Sequence, residues 1–132
     1  MAKTILLDSK INMEEKIFTE PPCRIPSLDT EIREFIKDIP KTPGVYKFLD
    51  TTGHPLYIGK AKRLNNRVAS YFRKSSRSKK VENLLAQAHF IEFAITNTEL
   101  ESLLHEQYLI KVMKPKFNVQ FKDDKGYPWI KI

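Results

Sequence analysis

The sequence predicts a single α/β (α+β) domain in which helices flank a small central three-stranded antiparallel β-sheet. A chain of 132 residues is long enough for one hydrophobic core and too short for two domains. Two short β-rich runs joined by a glycine-containing turn indicate a hairpin. Segments with helical spacing of apolar residues stand before and after that hairpin, which is typical of a layered fold of helices on a sheet.

The first element of the domain is a helix. Residues 1–26 show no clean periodicity and end in a proline-rich stretch, so we expect them to form an arm or extension, with residues 27–132 as the domain. Apolar residues at helical spacing then predict a helix that Ser27 caps and Pro40 ends; they are Leu28, Ile32, Phe35, Ile36 and Ile39.

A hairpin and two helices follow. Residues 45–49 and 56–59 predict two strands joined by the polar turn of residues 50–55. Leu64, Val68 and Tyr71 share one helical face, and Leu84 and Ala88 mark a further helix beyond a basic loop.

The third strand and the last helix complete the predicted domain. Residues 89–96 alternate and are rich in aromatic and β-branched side chains, which favours a strand. Thr98 and Glu101 have the spacing of a capping box, and the helix they open ends before Pro115. The tail, residues 117–121 and 127–132, brackets a charged turn at residues 122–126.

The positive charge of the chain is concentrated in one stretch. The formal net charge is +7, and residues 60–80 hold nine of the 23 lysines and arginines and no acidic residue. The remaining residues carry 14 basic against 16 acidic side chains, a balance of −2. Such a concentration suggests a polyanionic partner, although a solvated lysine-rich face is an equally good explanation of charge alone.

Several classes of protein are excluded by composition. The single cysteine, Cys23, allows no internal disulfide and no structural zinc cluster. Charge interrupts the N-terminus too early for a signal peptide, and no apolar run could span a bilayer. We therefore expect a soluble protein of the reducing cytoplasm.

Two tyrosine triplets, Gly44-Val45-Tyr46 and Tyr57-Ile58-Gly59, belong to a series of six ordered blocks. The blocks are Pro43-Gly44-Val45-Tyr46, residues 56–62, Arg67-Val68 with Ser70-Tyr71-Phe72, Leu104-His105-Glu106 with Leu109-Ile110-Lys111, residues 115–119 and residues 123–128. In these blocks the sequence resembles the GIY-YIG nuclease family, in particular its UvrC type or the shorter Cho-like relatives, with Val45 in place of isoleucine. The resemblance covers about residues 36–132 and implies the GIY-YIG endonuclease fold.

The resemblance implies a metal-dependent active site. It places the metal-binding glutamate at Glu106, and one carboxylate with waters and phosphate suits a single Mg²⁺ or Mn²⁺ ion. It makes Tyr57 the general base, and Lys60, three residues further on, is our candidate for lowering the pKa of that phenol, directly or through water. His54, His89 and His105 have no ligand-like spacing.

Further residues complete the expected site. Arg67 would neutralise the scissile phosphate with a planar fork of donors. Tyr46 has a lesser catalytic share, Tyr71 braces the site, and Asn118 and Gly59 support it. Without the resemblance, the tyrosines would be read as packing residues, and Arg67 and Glu106 as helix-surface residues.

The other basic residues of the stretch are expected to contact DNA phosphates without reading sequence, so that binding is sensitive to salt. They are Lys62, Arg63, Arg73, Lys74, Arg77, Lys79 and Lys80.

The function predicted is divalent-metal-dependent endonucleolytic hydrolysis of DNA. The resemblance implies the 3′ incision of nucleotide excision repair, on DNA loaded with UvrB. One alternative is a non-catalytic DNA-binding or targeting module on the same fold, although every expected catalytic residue type is present. Another is a GIY-YIG nuclease of a different pathway, which the blocks after Leu104 disfavour.

Overall fold

The computed structural model of the chain describes residues 22–119. The first 21 residues of the expected arm, and the expected tail from residue 120 with its charged turn, lie outside the described residues. The elements in chain order are β1 (Cys23–Arg24), α1 (Asp29–Lys37), β2 (Gly44–Leu49), β3 (Pro55–Ala61), α2 (Leu64–Tyr71), a 3₁₀ turn (Lys74–Ser76), α3 (Lys79–Gln87), β4 (Phe90–Ile95) and α4 (Glu99–Met113).

The mixed α/β architecture and the antiparallel sheet are confirmed, but the sheet has four strands in the order β1-β4-β2-β3. The prediction of three strands was wrong because β1 has only two residues, too few to show alternation. β1 exists through pairing with β4, where Cys23 faces Ile91 and Arg24 faces Phe90. The division into an arm of residues 1–26 and a domain of residues 27–132 stays a prediction.

The sheet is covered on both faces. Side chains alternate along a strand, so Tyr46 and Phe48 of β2 join a core with Leu64 of α2 and Leu84 of α3. Val45, the residue before Tyr46, packs on the opposite face with Leu109 of α4 in a second core. All six residues of β2 are buried. The outer strand β3 contacts both α2 and α4, which lie on opposite faces of the sheet.

The ends of the helices only partly follow the sequence signals. α1 begins after Leu28, so Ser27 does not cap it, and that prediction was wrong by one residue. Thr98 caps α4 as predicted, since its hydroxyl accepts a hydrogen bond from the Glu101 N–H at 3.1 Å, whereas the Glu101 carboxylate accepts from the Asn97 N–H at 2.6 Å and not from that of Thr98. Across residues 22–119, no helix is long and apolar enough to cross a membrane.

Candidate active site

Three tyrosines form a compact cluster on the face of the sheet that α2 covers. Tyr46 stands on β2, Tyr57 on β3, and Tyr71 is the last residue of α2. The hydroxyl groups of Tyr46 and Tyr71 share a hydrogen bond of 2.6 Å. The ring centre of Tyr57 lies 6.3 Å from that of Tyr46 and 6.5 Å from that of Tyr71. Ring contacts therefore join all three phenols, and the bond between Tyr46 and Tyr71 is buried.

Gly59 makes room for this cluster. It pairs directly with Tyr46 across β2 and β3. A Cβ added at Gly59 would meet the Tyr46 hydroxyl and lie 2.5 Å from Tyr46 Cζ and 3.0 Å from its Cε1. The side chain of Tyr46 lies over the glycine backbone, which explains physically why a residue without a side chain follows Tyr57 and Ile58.

Arg67 joins the tyrosines from the middle of α2. Its Nε donates to the Tyr46 hydroxyl at 3.3 Å, and its guanidinium carbon lies 5.7 Å from the centre of the Tyr71 ring. Burial raises the pKa of Tyr46, of Tyr57 and of Tyr71, while the positive charge of Arg67 acts in the opposite direction on each. The phenols in turn, Tyr46 foremost, raise the pKa of Arg67, so the guanidinium remains charged.

Lys60 does not act on Tyr57 as expected. Tyr57 pairs with Phe48 and Lys60 pairs with Val45, and these positions fall on opposite faces of the sheet. Two strand residues three positions apart point to opposite faces, so the geometry of the strand rules out the direct contact. The pKa of Tyr57 is raised by burial, not lowered by Lys60. The positive charge of Lys60 acts instead on Glu106.

Glu106 reaches the same strand from the other side of the sheet. It lies on α4, and its carboxylate accepts a hydrogen bond from the Gln107 side chain at 3.0 Å. Burial raises the pKa of Glu106, and the charges of Lys60 and Arg67 oppose that rise. Its negative charge also raises the pKa of Tyr57. The carboxylate therefore interacts with residues of both faces, as a group at the β3 edge would.

Glu106 is the expected protein ligand of a divalent cation, and that assignment stays a prediction. Within residues 22–119 no three His, Cys, Asp or Glu side chains are grouped to hold a metal. His105 is buried, and burial and the charge of Lys47 lower its pKa. A single, partly desolvated carboxylate on which the charge of Arg67 acts fits Mg²⁺, which retains several waters and takes phosphate oxygens as ligands.

Asn118 holds the outer edge of β3. Its side-chain oxygen accepts from the Ile58 N–H at 2.8 Å, and its side-chain nitrogen donates to the Ile58 carbonyl at 2.9 Å. Ile58 is the residue between Tyr57 and Gly59, and in this four-stranded sheet its outward backbone groups would otherwise need water. The amide thus fixes β3 at the position where the site is built.

The basic residues divide into two sets. An open groove beside Arg67 is lined by Lys60, Lys62 and Arg63, with Asn66 and Ser70 of α2 completing it. Asn66 and Ser70 were missed in the sequence, although their helical spacing with Arg63 and Arg67 could have indicated them. Arg73, Lys74, Arg77, Lys79 and Lys80 come after α2 and do not line this groove.

Two of these basic residues have protein partners. Lys74 forms an exposed ion pair with Asp29 at 3.1 Å. Arg77 is partly buried and donates to the backbone carbonyls of Tyr71 and Phe72 at 3.2 and 3.5 Å. Their contribution to DNA binding stays a prediction.

Paired tyrosines on a hairpin, an arginine on the next helix and a glutamate on the last helix define a GIY-YIG domain. Residues 42–119 match the family described as the UvrC-like GIY-YIG domain. The chain belongs to the UvrC-like GIY-YIG family.

Relatives of known name agree with this assignment. UvrABC system protein C of Alkalilimnicola ehrlichii is 45% identical over 98 residues, and that of Neisseria meningitidis serogroup A is 45% identical over 100 residues. These alignments cover 74% and 76% of this chain and 16% of each relative, so the chain corresponds to a small part of those proteins.

Solved structures agree as well. The GIY-YIG N-terminal endonuclease domain of UvrC from Thermotoga maritima was crystallised with its catalytic divalent cation, magnesium. It has a TM-score of 0.60 and 39% identity to this chain, and the match covers 68% of this chain and 98% of that domain. Point mutants of that domain, including tyrosine-to-phenylalanine and asparagine-to-alanine changes, match similarly and are also bound to the catalytic cation.

Proposed function

We propose that this domain hydrolyses a phosphodiester bond of DNA with the help of one divalent metal ion held by Glu106. The chain is a metal-dependent endonuclease domain of the UvrC-like GIY-YIG family, a conclusion supported by the family match and by the magnesium-bound neighbour. The observation that supports the residue assignment is the hydrogen-bonded cluster of Tyr46, Tyr71 and Arg67, together with the action of the Arg67 charge on the Glu106 carboxylate.

Each residue has a part in the proposed reaction. Arg67 binds the scissile phosphate and neutralises the charge that develops on it, since its guanidinium remains charged and faces the groove. Tyr57 accepts the proton of the attacking water, for which it must be a phenolate. Tyr46 and Tyr71 hold Arg67 and Tyr57 in place. A bound divalent ion would supply Lewis-acid stabilisation of the phosphate and the leaving oxygen.

Lys60 is assigned a role beside the carboxylate. Its charge acts on Glu106, and it lines the groove with Arg67. We infer that Lys60 binds the DNA phosphate next to the metal, because an ammonium group there offsets the approach of a polyanion to a carboxylate. This replaces the expected influence of Lys60 on the pKa of Tyr57.

The number and kind of ions follow from the donor set. Two metal ions would have to share the single carboxylate of Glu106, and each would then have too few protein ligands. We therefore propose one ion per domain. Mg²⁺ and Mn²⁺ both suit oxygen donors and retained waters. The tyrosine and asparagine mutants of the Thermotoga domain remain bound to the cation. Those side chains are therefore dispensable for metal binding there, which favours Glu106 as the protein ligand here.

The wider role is proposed from the relatives. As part of a UvrABC system protein C, the domain would make the 3′ incision of nucleotide excision repair in the cytoplasm. Its groove holds four cations, Lys60, Lys62, Arg63 and Arg67, and no carboxylate, which suits phosphate contacts independent of sequence. The lesion would be found by partner proteins, with a UvrB–DNA complex as the substrate presented to this domain.

Nicking of supercoiled plasmid by the full 132-residue chain tests the proposal. Wild type and Glu106→Gln would be prepared identically and compared in Mg²⁺, in Mn²⁺ and in excess chelator, with DNA affinity measured in parallel. We expect metal-dependent nicking by the wild type that Glu106→Gln abolishes while it retains DNA binding. Equal nicking by both proteins would refute Glu106 as the metal ligand.

A wild type that fails to nick plasmid would next be assayed on damaged DNA loaded with UvrB. Incision there on the 3′ side of the lesion, lost in Glu106→Gln, would support the repair role. No incision on either substrate would favour the non-catalytic binding module.

A further inference from the structure

Arg77 contacts the end of the helix that carries Arg67 and Tyr71. Its Nε donates to the carbonyl of Tyr71 at 3.2 Å, and its terminal NH₂ lies 3.5 Å from the carbonyl of Phe72. Tyr71 is the last residue of α2, and Phe72 is its C-cap. The final carbonyls of an α-helix have no partner within the helix and carry partial negative charge, so a guanidinium there satisfies both needs.

The start of α2 is held by two backbone hydrogen bonds, which the N–H groups of Leu64 and Asn65 donate to carbonyls of the loop before β2 at 2.9 and 3.1 Å. α2 has eight residues, its N-cap Arg63 makes no side-chain capping bond, and its last turn contains no basic residue. Helices of about two turns are marginal by themselves, so they depend on packing and on capping. Arg77 supplies, from six residues beyond Tyr71, the positive charge that the last turn lacks.

The end of α2 is directly coupled to the reacting groups. The Tyr71 hydroxyl shares its 2.6 Å hydrogen bond with Tyr46, and the Tyr46 hydroxyl accepts from Arg67 Nε at 3.3 Å. If the last turn of α2 frays, Tyr71 moves, and the phenol that orients Arg67 loses its partner. A displacement of about 1 Å at a reacting group is enough to lower an enzyme's rate by up to ~100-fold.

We propose that Arg77 is a positioning residue of the nuclease site, which acts through the C-terminus of α2, and not a DNA-phosphate contact. It is partly buried, whereas Arg73, Lys74 and Lys79 are exposed. It also lines a separate groove, between α1 and α3, and not the groove of Arg67. This inference rests on the proposed endonuclease function.

The test compares Arg77→Gln with Arg77→Lys and with Arg73→Gln, which removes an equal charge beside the same helix. Single-turnover nicking at saturating DNA gives the rate, and a binding titration gives the Kd for DNA. We expect Arg77→Gln to lower the saturated rate about tenfold or more with a smaller change in Kd. Arg73→Gln should act mainly on Kd, and Arg77→Lys should recover part of the rate, because an ammonium can still donate to one carbonyl.

Amide hydrogen exchange provides a readout that does not require activity. The N–H groups of Phe72 and Arg73, which bond to the carbonyls of Ala69 and Ser70, should exchange faster in Arg77→Gln than in wild type or Arg73→Gln. If exchange is faster in Arg77→Gln but the wild type itself does not nick DNA, the proposed function is refuted and the capping role of Arg77 stands. Unchanged exchange, or a Kd effect equal to that of Arg73→Gln with an unaltered rate, would overturn the inference. If Arg77→Gln does not fold, Arg77→Lys carries the same measurements.

Discussion

Gly59→Ala is the substitution whose effect follows most directly from the geometry of the site. The added Cβ would lie 2.5 Å from Tyr46 Cζ and 3.0 Å from Tyr46 Cε1, well inside van der Waals contact. Tyr46 has no exposed surface and is enclosed by the rings of Phe48, Tyr57 and Tyr71, so it cannot rotate away. The ring must be displaced, and its hydroxyl must leave Tyr71 or Arg67.

The magnitude can be built from three terms. Overpacking of a filled core costs about 1–3 kcal/mol. Loss of one buried hydrogen bond adds about 1 kcal/mol. Replacing glycine by alanine lowers the conformational entropy of the unfolded chain, which stabilises the folded protein by about 0.4–1 kcal/mol. The net destabilisation is therefore about 2 kcal/mol, which lowers Tm by roughly 10 °C in a domain of this size.

Thermal unfolding followed by circular dichroism measures the stability, and plasmid nicking well below Tm measures the site. Gly53→Ala is the matched control, because Gly53 has φ +89 and open space where a Cβ would stand. It costs about 1 kcal/mol through backbone strain alone. Both variants should unfold at a lower temperature than the wild type. Only Gly59→Ala should have a lower nicking rate per folded molecule. A Gly59→Ala protein with normal Tm and normal nicking would refute the steric reasoning.

Three further outcomes are expected. Burial raises the pKa of Glu106 in the folded protein, so this side chain contributes to folding stability below its unfolded-state pKa, and that contribution is lost as the pH rises through the folded-state pKa to neutrality. Measured by calorimetry without metal, the Tm of Glu106→Gln should therefore equal or exceed that of the wild type. Excess Mg²⁺ should raise the Tm of the wild type but not that of Glu106→Gln. An equal increase in both proteins would contradict the assignment of Glu106 as the metal ligand. Because burial raises the pKa of Tyr57 above its usual ~10, nicking should climb about tenfold per pH unit through neutrality to about pH 9, and a plateau below that pH would exclude Tyr57 as the base. Asn118→Ala should lower stability by about 1–3 kcal/mol and accelerate amide exchange at Ile58, whereas unchanged exchange there would show that the edge contact is dispensable.

The sequence predicted those helices and strands whose signals lie within the element itself. The capping box at Thr98 and Glu101 is a contact between near neighbours, and the alternation of residues 89–96 spans a whole strand. β1 could not be found in this way, since Cys23 and Arg24 become a strand only by pairing with residues some 67 positions away. Its two residues contain no periodicity of their own.

The family resemblance predicted which residues belong to the site, but it did not predict which of them contact one another. Lys60 was expected beside Tyr57, and strand alternation alone could have excluded that contact. Arg77 was counted with the DNA-binding cations because charge in a sequence does not reveal whether a guanidinium meets a phosphate or a helix end. The bond of Asn118 to Ile58 joins residues 60 positions apart, and no local pattern reports it.

The three tyrosines can be ranked by what burial does to each of them. Burial holds the rings in place, and it also raises every one of their pKa values, which opposes use as a base. Tyr46 has no exposed surface and Tyr71 is 6% exposed, whereas Tyr57 is only partly buried. Tyr57 is therefore the phenol that water can reach, and the other two are fixed by their mutual hydrogen bond.

The ranking predicts different effects of phenylalanine at Tyr57 and at Tyr46. Tyr57→Phe should lower the nicking rate most, about 100-fold or more, because it removes the proton acceptor. Tyr46→Phe should lower it less, since Arg67 loses a hydroxyl partner but keeps its contact with the Tyr71 ring. Single-turnover rates at saturating DNA make the comparison, with Tyr108→Phe, an exposed tyrosine on α4, as the control. If Tyr46→Phe is the more damaging change, the proton acceptor is the buried phenol, and the assignment of Tyr57 as base is wrong.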